Sequence, residues 1–258
     1  MSRTNFVTGL RAVEQLLGSP SSDVRRLYAE YQTANPRVEA IIKLARSKGI
    51  EVQAANRARL AQISGESRHQ GIVAQVRRAT ALDESGLRSL VEQRLGEEGE
   101  RPLTVLLLDS VQDPHNLGAC LRTADASGVD AVVAPRHGAA GLGPTVSKVA
   151  AGAAENLAFA TVGNLARVLD WLGDYGVLRI GTSDRAEENV YDQDLSGPVA
   201  LVMGGEHEGM SAKILNRCDR LVHLPMLGSV SSLNVSVATG VCLYEVLRQR
   251  LLTQGTPG

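Results

Sequence analysis

The chain has 258 residues, of which 43% are hydrophobic and 21% are charged, and its formal net charge at pH 7 is −1. This composition is that of a globular protein and excludes extended disorder, and the length favours two domains over one. The apolar runs are too short to span a bilayer, and no apolar stretch follows a basic start, so we expect neither a membrane span nor a secretory signal.

The three cysteines, Cys120, Cys218 and Cys242, are odd in number, and none belongs to a CxxC pair. This pattern argues against a disulfide framework and against a thiolate zinc site, and it predicts reduced thiols in the cytoplasm. Aromatic residues make up only 3% of the chain. Their scarcity argues against RNA-binding folds that stack bases on aromatic side chains.

The charge is distributed unevenly along the chain. Residues 1–78 carry a net charge of +7, residues 79–102 carry −3 and residues 103–258 carry −5. With the accompanying change in hydrophobic pattern, this predicts a first domain at 1–78, an acidic and partly ordered linker at 79–102, and a second domain at 103–258. A basic first domain suits a polyanion such as RNA, although a solvated Arg-rich surface would have the same composition.

The first domain is predicted to be a small α/β unit. Leu10, Val13, Leu16 and Leu17 recur at helical spacing, and turn residues follow them. The predicted elements, in chain order, are a helix over Leu10–Leu17, a strand over Val24–Tyr28, a helix over Pro36–Ser47, strands over Ile50–Gln53 and Gln70–Val76, and a short helix in the linker over Leu87–Leu95.

From Leu103 onwards, short apolar runs alternate with helical patterns. Continuous apolar strands alternating with helices predict a mostly parallel sheet that is covered on both faces. The predicted strands are Thr104–Leu108, Ala131–Ala134, Val177–Gly181, Val199–Met203 and Leu221–Leu224. The predicted helices are Leu117–Ser127, Pro144–Gly152, Asn164–Leu172, Ser211–Asn216 and Ser232–Leu252.

Loops at the carboxyl ends of parallel strands carry the chemistry of such folds, and three of these loops are unusually polar. The first runs from Asp109 to Gly118 into the helix that carries Arg122, and we expect Asn116 at or near the N-cap of that helix. The second contains Gly204 and Gly205, which would let a ligand approach the backbone closely.

The third loop, Leu224–Ala238, is a Gly- and Ser-rich turn that continues into a helical pattern. Capping explains one or two of its serines. It does not explain Ser232 and Asn234, which fall inside the predicted helix, because buried polar side chains need hydrogen-bond partners. A bound ligand would supply some of them.

Several cofactor motifs are absent from the sequence. The five histidines are scattered without ligand spacing, so we expect no metal site. The glycines of Gly138–Gly143 follow a GxxGxG order rather than the dinucleotide-binding GxGxxG, and no GxxxxGK[ST] motif occurs. A dehydrogenase and a nucleoside triphosphatase are therefore disfavoured.

The three loops, in this order and spacing, resemble the signature motifs of the SpoU (TrmH-type) RNA ribose 2'-O-methyltransferases of the SPOUT superfamily. The matching segments are Asp113–Gly118 with Arg122, Gly204–Gly209 with Gly205 where some relatives have Ala, and Ser229–Ala238. The first domain is similar to that family's small L30e-like substrate-binding domain, on Thr8-Gly9, Ala12-Val13, Leu16-Leu17 and the segment His69–Ile72.

This resemblance implies an α/β catalytic domain with a deep trefoil knot near its carboxyl end, S-adenosylmethionine (SAM) as cofactor, an obligate homodimer and no metal. The cofactor-binding residues that it implies are Thr182, Gly204, Gly205, Leu224, Met226, Ser232 and Leu233.

The resemblance also implies the catalytic group. Arg122 would lie nearest the ribose hydroxyl. Because a guanidinium stays protonated, we expect it to bind the neighbouring phosphate and to lower the pKa of the hydroxyl rather than act as a base. Asn116 and Glu206 would orient Arg122 and the ribose, and Glu206 could receive the proton. Ser232 and Asn234 would fix the cofactor carboxylate or the target nucleotide.

The family relation favours a guanosine in the peptidyl-transferase (P-site) loop of 23S rRNA as the substrate, captured through phosphates by the basic first domain. Arg11, Arg25, Arg26 and Arg57 are candidate phosphate ligands. Two alternatives stay open at this point. One is the same methylation on a tRNA or at another rRNA site, and the other is a non-catalytic assembly factor that binds rRNA.

Overall fold

The computed structural model describes residues 4–18, 24–30, 35–77, 81–97, 101–205 and 209–253. Contacts divide the chain into two compact units. The first unit comprises residues 1–80 with 151–156, and the second comprises residues 81–150 with 157–258.

The first unit contains a four-stranded mixed sheet in the order β1-β4-β2-β3. β4 is antiparallel to both of its neighbours, and β2 and β3 are parallel. Its elements are β1 (Thr4–Thr8), α1 (Leu10–Gly18), β2 (Val24–Glu30), α2 (Pro36–Ser47), β3 (Glu51–Ala55), α3 (Arg57–Ser64) and β4 (Ile72–Arg77).

The helices of the first unit begin where local chemistry favours it. Asn35 caps α2 by accepting from the Arg37 N–H, and Pro36 follows at the first helical position, where it has no N–H to leave unsatisfied. Asn56 caps α3 in the same way. Neither β1 nor α3 was predicted. For α3 the reason is that it buries only Leu60, so it carries almost no periodic apolar signal.

The second unit is built on a seven-stranded sheet in the order β7-β6-β5-β10-β8-β11-β9. Every pairing in it is parallel, which confirms the predicted α/β class. Its strands are β5 (Thr104–Asp109), β6 (Ala131–Pro135), β7 (Ala158–Val162), β8 (Leu178–Thr182), β9 (Glu188–Asn189), β10 (Val199–Gly204) and β11 (Arg220–His223). β5 and β10 lie side by side and are buried almost throughout, as expected for central strands.

Helices accompany this sheet. They are α4 (Glu84–Gly96), α5 (Pro114–Ala126), α6 (Pro144–Ala150), α7 (Ala153–Asn156), α8 (Leu165–Asp174), α9 (Ala212–Leu215) and α10 (Val235–Thr253), of which α7 is grouped with the first unit. Among the described helices, none combines the length and the hydrophobicity that crossing a membrane requires.

The acidic segment 79–102 does not behave as a linker. It contributes α4, whose Leu87 and Val91 are fully buried in the core of the second unit. Asp130, at the edge of that core, accepts hydrogen bonds from Arg94 in α4, from Arg101 and from the Thr104 N–H. Net charge suggested a solvated connection, but the apolar face of this helix and the buried carboxylate attach residues 81–97 to the second unit.

Several helix boundaries differ from the predicted ones. α5 begins at Pro114 because Asp113 caps it, accepting from the His115 N–H at 2.9 Å. The predicted helix Pro144–Gly152 ends at Ala150, since Ala151 and Gly152 adopt positive φ angles of 53° and 99°. α10 begins at Val235 rather than at Ser232.

Candidate active site

The site lies at the carboxyl edge of the parallel sheet. In the register of β5 and β10, Asp109 is paired with Gly204, so the loops that follow these two strands leave the sheet side by side. The loops after β8 and β11 leave the same edge because those strands are parallel to β10. Such an edge is where open α/β sheets bind their ligands.

These loops enclose a cavity of about 450 Å³, the size of a small-molecule site. All seven residues that the sequence assigned to the cofactor lie in its wall: Thr182, Gly204, Gly205, Leu224, Met226, Ser232 and Leu233. Ser183, Asp184, Arg185, Met203, Gly209, Met210, Leu215, Val222, His223, Ser231, Val235 and Ala238 complete the lining.

Gly204 and Gly205 are needed for close approach, but the group that approaches them is the protein's own backbone. A Cβ on Gly204 would lie 2.4 Å from the carbonyl carbon of Gly209, and a Cβ on Gly205 would lie 2.4 Å from the carbonyl oxygen of Ser110. Gly204 therefore lets the second loop fold back on itself, and Gly205 lets it pack against the first loop. Both glycines also line the cavity.

Asp109 also stabilises the contact between the first and second loops. Its side chain is nearly buried, and one carboxylate oxygen accepts from the Ser211 N–H at 3.0 Å while the other accepts from the Ser110 hydroxyl at 3.3 Å. A buried carboxylate that receives hydrogen bonds from two loops holds them at a fixed separation. The wall of the cavity is therefore set by the sheet and not by the loops alone.

Asn234 and Asn116 connect the third loop to the first. Asn234 Nδ2 donates to Asn116 Oδ1 at 3.0 Å. Asn234 Oδ1 accepts from the Ser236 N–H at 2.9 Å and from its hydroxyl at 2.7 Å, the hydrogen bonding of a helix N-cap. Asn234 is thus exposed at the start of α10 rather than inside it, whereas Asn116 lies in the first turn of α5 and does not cap it.

Of the predicted catalytic residues, the structure joins Asn116 to Asn234 and leaves Arg122 outside the cavity lining. Arg122 lies on an exposed face of α5, about 9 Å along the helix axis from Asn116, outside the cavity lining. Within the described part of the chain it forms no hydrogen bond or ion pair. Ser232 is exposed at the rim of the cavity. Glu206 lies outside the described residues.

Sequence reasoning missed the segment Ser183–Arg185 and His223. The sequence did contain a signal for this segment, since Ser183, Asp184 and Arg185 come just after the predicted strand Val177–Gly181. His223 was grouped with the scattered histidines, but it ends β11 and lines the cavity. Its Nδ1 atom is buried and has no hydrogen-bond partner among the described residues. An unpaired buried nitrogen in a cavity wall fits a ligand that donates a hydrogen bond.

The cavity fits SAM in size and in chemistry. Met203, Met210, Leu215 and Val222 supply apolar walls for an adenosine. The guanidinium of Arg185 offers a charge partner for a carboxylate, while loop backbone and His223 Nδ1 offer polar partners. Within the described residues, no group of three or more His, Cys, Asp or Glu side chains is placed to hold a metal ion.

Comparison with known families assigns both units. The model of the SpoU rRNA Methylase family matches residues 103–244, and the model for RNA 2'-O ribose methyltransferase substrate binding matches residues 6–81. The first match contains the three loops that build the cavity, and the second lies in the basic segment.

Relatives match over almost the whole chain. A 23S rRNA (guanosine-2'-O-)-methyltransferase RlmB of Ralstonia nicotianae is 47% identical over 97% of this chain and 98% of its own, and the RlmB of Coxiella burnetii is 44% identical over the same shares. The crystal structure of the SpoU methyltransferase AviRb from Streptomyces viridochromogenes with the cofactor AdoMet is 26% identical, has a TM-score of 0.75, and covers 95% of this chain and 90% of its own. The chain therefore belongs to the SpoU rRNA methylase family, and the expectation of a SAM-dependent methyltransferase is confirmed.

Proposed function

We propose that this chain transfers the methyl group of SAM to the ribose 2'-hydroxyl of a guanosine in the peptidyl-transferase (P-site) loop of 23S rRNA. The observation that carries the proposal is full-length similarity, at 47% and 44% identity, to two enzymes named for guanosine 2'-O-methylation of 23S rRNA. The position of the guanosine within the rRNA rests on the family resemblance. An rRNA substrate is consistent with a cytoplasmic location.

The residues that would hold SAM are those of the cavity. Backbone groups at Gly204, Leu224 and Leu233 would bind the adenosine, and Met226 would add an apolar wall, in keeping with their place in the cavity lining. When bound, SAM supplies a methyl group on a positively charged sulfur, which is a good leaving group. The protein therefore needs to position the hydroxyl, exclude water and take up one proton.

Arg122 binds the phosphate next to the target ribose in this proposal, and its charge lowers the pKa of the 2'-hydroxyl. Its exposed position on α5 is suited to a macromolecular substrate that approaches from outside the cavity. Glu206 accepts the proton, directly or through water. The hydrogen bond between Asn116 and Asn234 holds the start of α5 against the start of α10, so that Arg122 and Ser232 keep a fixed separation.

The first unit captures the RNA in this scheme, consistent with its net charge of +7 over residues 1–78. Arg11 and Arg25 are exposed and are candidate phosphate ligands. Arg26 forms an ion pair with Glu51 at 2.6 Å, and the Arg57 guanidinium contacts Glu30 at 2.9 Å, so part of their charge is already neutralised.

A homodimer and a knotted chain complete the proposal. Val237, Tyr244 and Leu251 on α10 are each about half exposed and are spaced by seven residues, which places them on one face of the helix. A second copy of the chain would cover this stripe next to the cavity-forming loop. The trefoil knot stays a prediction from the family resemblance.

The test is methyl transfer from radiolabelled SAM to protein-free 23S rRNA, followed by mapping of the modified nucleotide. We expect label on one ribose of the peptidyl-transferase loop and loss of that label in the Arg122→Ala variant. Label on bulk tRNA instead would keep the chemistry and refute the rRNA substrate. Label on neither RNA despite SAM binding would refute protein-free rRNA as the substrate and direct the assay to assembly intermediates.

A further inference from the structure

The first unit contains a cavity of its own, of about 390 Å³. We name it the α3 cavity. One wall is the exposed side of α3, and the other is the turn that leads into β4. Its lining consists of Arg57, Ala58, Ala61, Ser67, His69, Gln70 and Gly71. The cavity lies within the segment that matches the substrate-binding family, but neither that match nor the chemistry above assigns a role to it.

His69 is the one polar side chain of this lining that is almost fully buried, with 4% of its surface exposed. Its Nδ1 accepts the Gly71 N–H at 3.1 Å, so this nitrogen carries no proton. The proton of the neutral ring is then on Nε2, which has no hydrogen-bond partner in the described part of the chain. Because His69 lines the cavity, a proton on Nε2 makes the ring a hydrogen-bond donor there.

The turn that contains His69 has a backbone conformation that is unfavourable for most residues. Gln70 and Gly71 have positive φ angles of 52° and 79°. The side chain of Gln70 offsets this cost by accepting the Leu10 N–H at 2.9 Å at the start of α1, and Gly71 accepts the Glu30 N–H through its carbonyl at 2.8 Å. The donor of His69 is therefore positioned before any ligand arrives, which lowers the entropy cost of binding.

The other groups around the cavity define the ligand. Ala58 and Ala61 expose only methyl groups, which leaves room for a flat ring. Arg57 reaches the rim, where its side chain is 78% exposed and is held by contact with Glu30. A base acceptor facing His69 Nε2 and a phosphate facing Arg57 match one nucleotide, and a cavity of this size holds one nucleotide rather than several.

We propose that the α3 cavity binds a single unpaired nucleotide of the RNA substrate, with the base against His69 and the 5' or 3' phosphate at Arg57. The proposal rests on the proposed function only in that the ligand is RNA. A duplex would not satisfy the site, because base pairing and stacking keep the base edges inside the helix. The α3 cavity would then select single-stranded or bulged RNA.

The experiment uses the full chain and fluorescence anisotropy at fixed ionic strength, because phosphate contacts depend on salt. The probes are a short fluorescein-labelled single-stranded RNA and the same RNA annealed to its complement. Ala61→Trp fills the cavity, and the matched control Gln62→Trp adds the same side chain at an exposed neighbouring position of α3 that does not line it. We expect Ala61→Trp to weaken single-strand binding about tenfold and to leave duplex binding unchanged.

A polar variant separates recognition from folding. His69→Asn retains an acceptor for the Gly71 N–H but lacks the Nε2 donor, so we expect an unchanged melting temperature and weaker single-strand binding. Equal affinities of Ala61→Trp and Gln62→Trp for the single strand, or equal losses for single strand and duplex, would overturn the proposal. Methylation of 23S rRNA by the unmodified chain is measured in parallel, so failure of the proposed function is recognised separately.

Discussion

Asn234 carries two roles that a pair of substitutions can separate. Its side chain caps α10 through Ser236 and also bridges to Asn116. Asn234→Ala removes both interactions. Asn234→Ser keeps a good capping oxygen but is too short to reach Asn116, so it removes the bridge alone.

The expected magnitudes follow from these contacts. Loss of an N-cap costs about 1 kcal/mol, which lowers the melting temperature of a chain of this size by about 2–4 °C. Asn234→Ala should lose the cap and the bridge, about 2 kcal/mol in all, whereas Asn234→Ser should lose the bridge alone, about 1 kcal/mol. The bridge is one neutral hydrogen bond between amides worth about 1 kcal/mol, so both variants should lose about fivefold in kcat/KM for methyl transfer.

Thermal unfolding by calorimetry and methyl transfer from labelled SAM measure the two quantities. Asn116→Ala, alone and combined with Asn234→Ser, completes a double-mutant cycle, and the double variant should be little worse than either single one. The reasoning would be refuted if Asn234→Ser destabilised the protein as much as Asn234→Ala. It would also fail if the activity losses of Asn116→Ala and Asn234→Ser multiplied.

Three further outcomes follow from the site. Gly204→Ala should cost about 1–3 kcal/mol of unfolding free energy and weaken SAM binding, because the new Cβ would lie 2.4 Å from a backbone atom of Gly209. Gly163→Ala is the control, since nothing lies within 4 Å of its new Cβ. Equal losses of stability by calorimetry in the two variants would contradict the prediction. His223→Phe should weaken SAM binding about fivefold, as measured by titration calorimetry. The SAM-free chain should stay equally stable or become more stable, since the substitution removes a buried nitrogen that has no partner among the described residues. An unchanged affinity would show that SAM does not bind this nitrogen. Burial raises the pKa of the Cys218 thiol to about 11, so the unfolded chain loses this proton first, and the thiol's contribution to stability should fall as the pH rises above about 9. Alkylation of Cys218 at pH 8, followed by peptide mass spectrometry, should be on the order of a hundredfold slower in the native than in the denatured chain, and equal rates would disprove its burial.

The sequence indicated most of the elements because their apolar residues repeat at the period of the element. α2 begins and ends where predicted, since Pro36 and the apolar face around Val38 and Ile41 are local signals. α3 and β9 were not predicted because they bury few side chains. β1, α7 and the largely buried β7 were also missed. The start of α10 was placed three residues early, since the composition of Ser232–Asn234 does not reveal which residue caps the helix.

The cofactor residues were implied by the family resemblance, whereas the parallel-sheet pattern indicated only the edge at which the polar loops meet. All seven of them line one cavity. The sequence could not show that Gly205 faces Ser110 or that Asp109 holds Ser211, because these contacts join loops about a hundred residues apart.

The sequence alone therefore determined most of the helices and strands, the parallel sheet and the set of polar loops, since each depends on local periodicity or on a short motif. Only the tertiary structure decided how those loops meet. In the structure, Asn234 caps a helix and donates to Asn116, and Leu87 of the acidic segment is buried in the core. The Nδ1 atom of His223 has no hydrogen-bond partner among the described residues. These outcomes depend on strand order and register, which bring distant residues together and which no local pattern encodes.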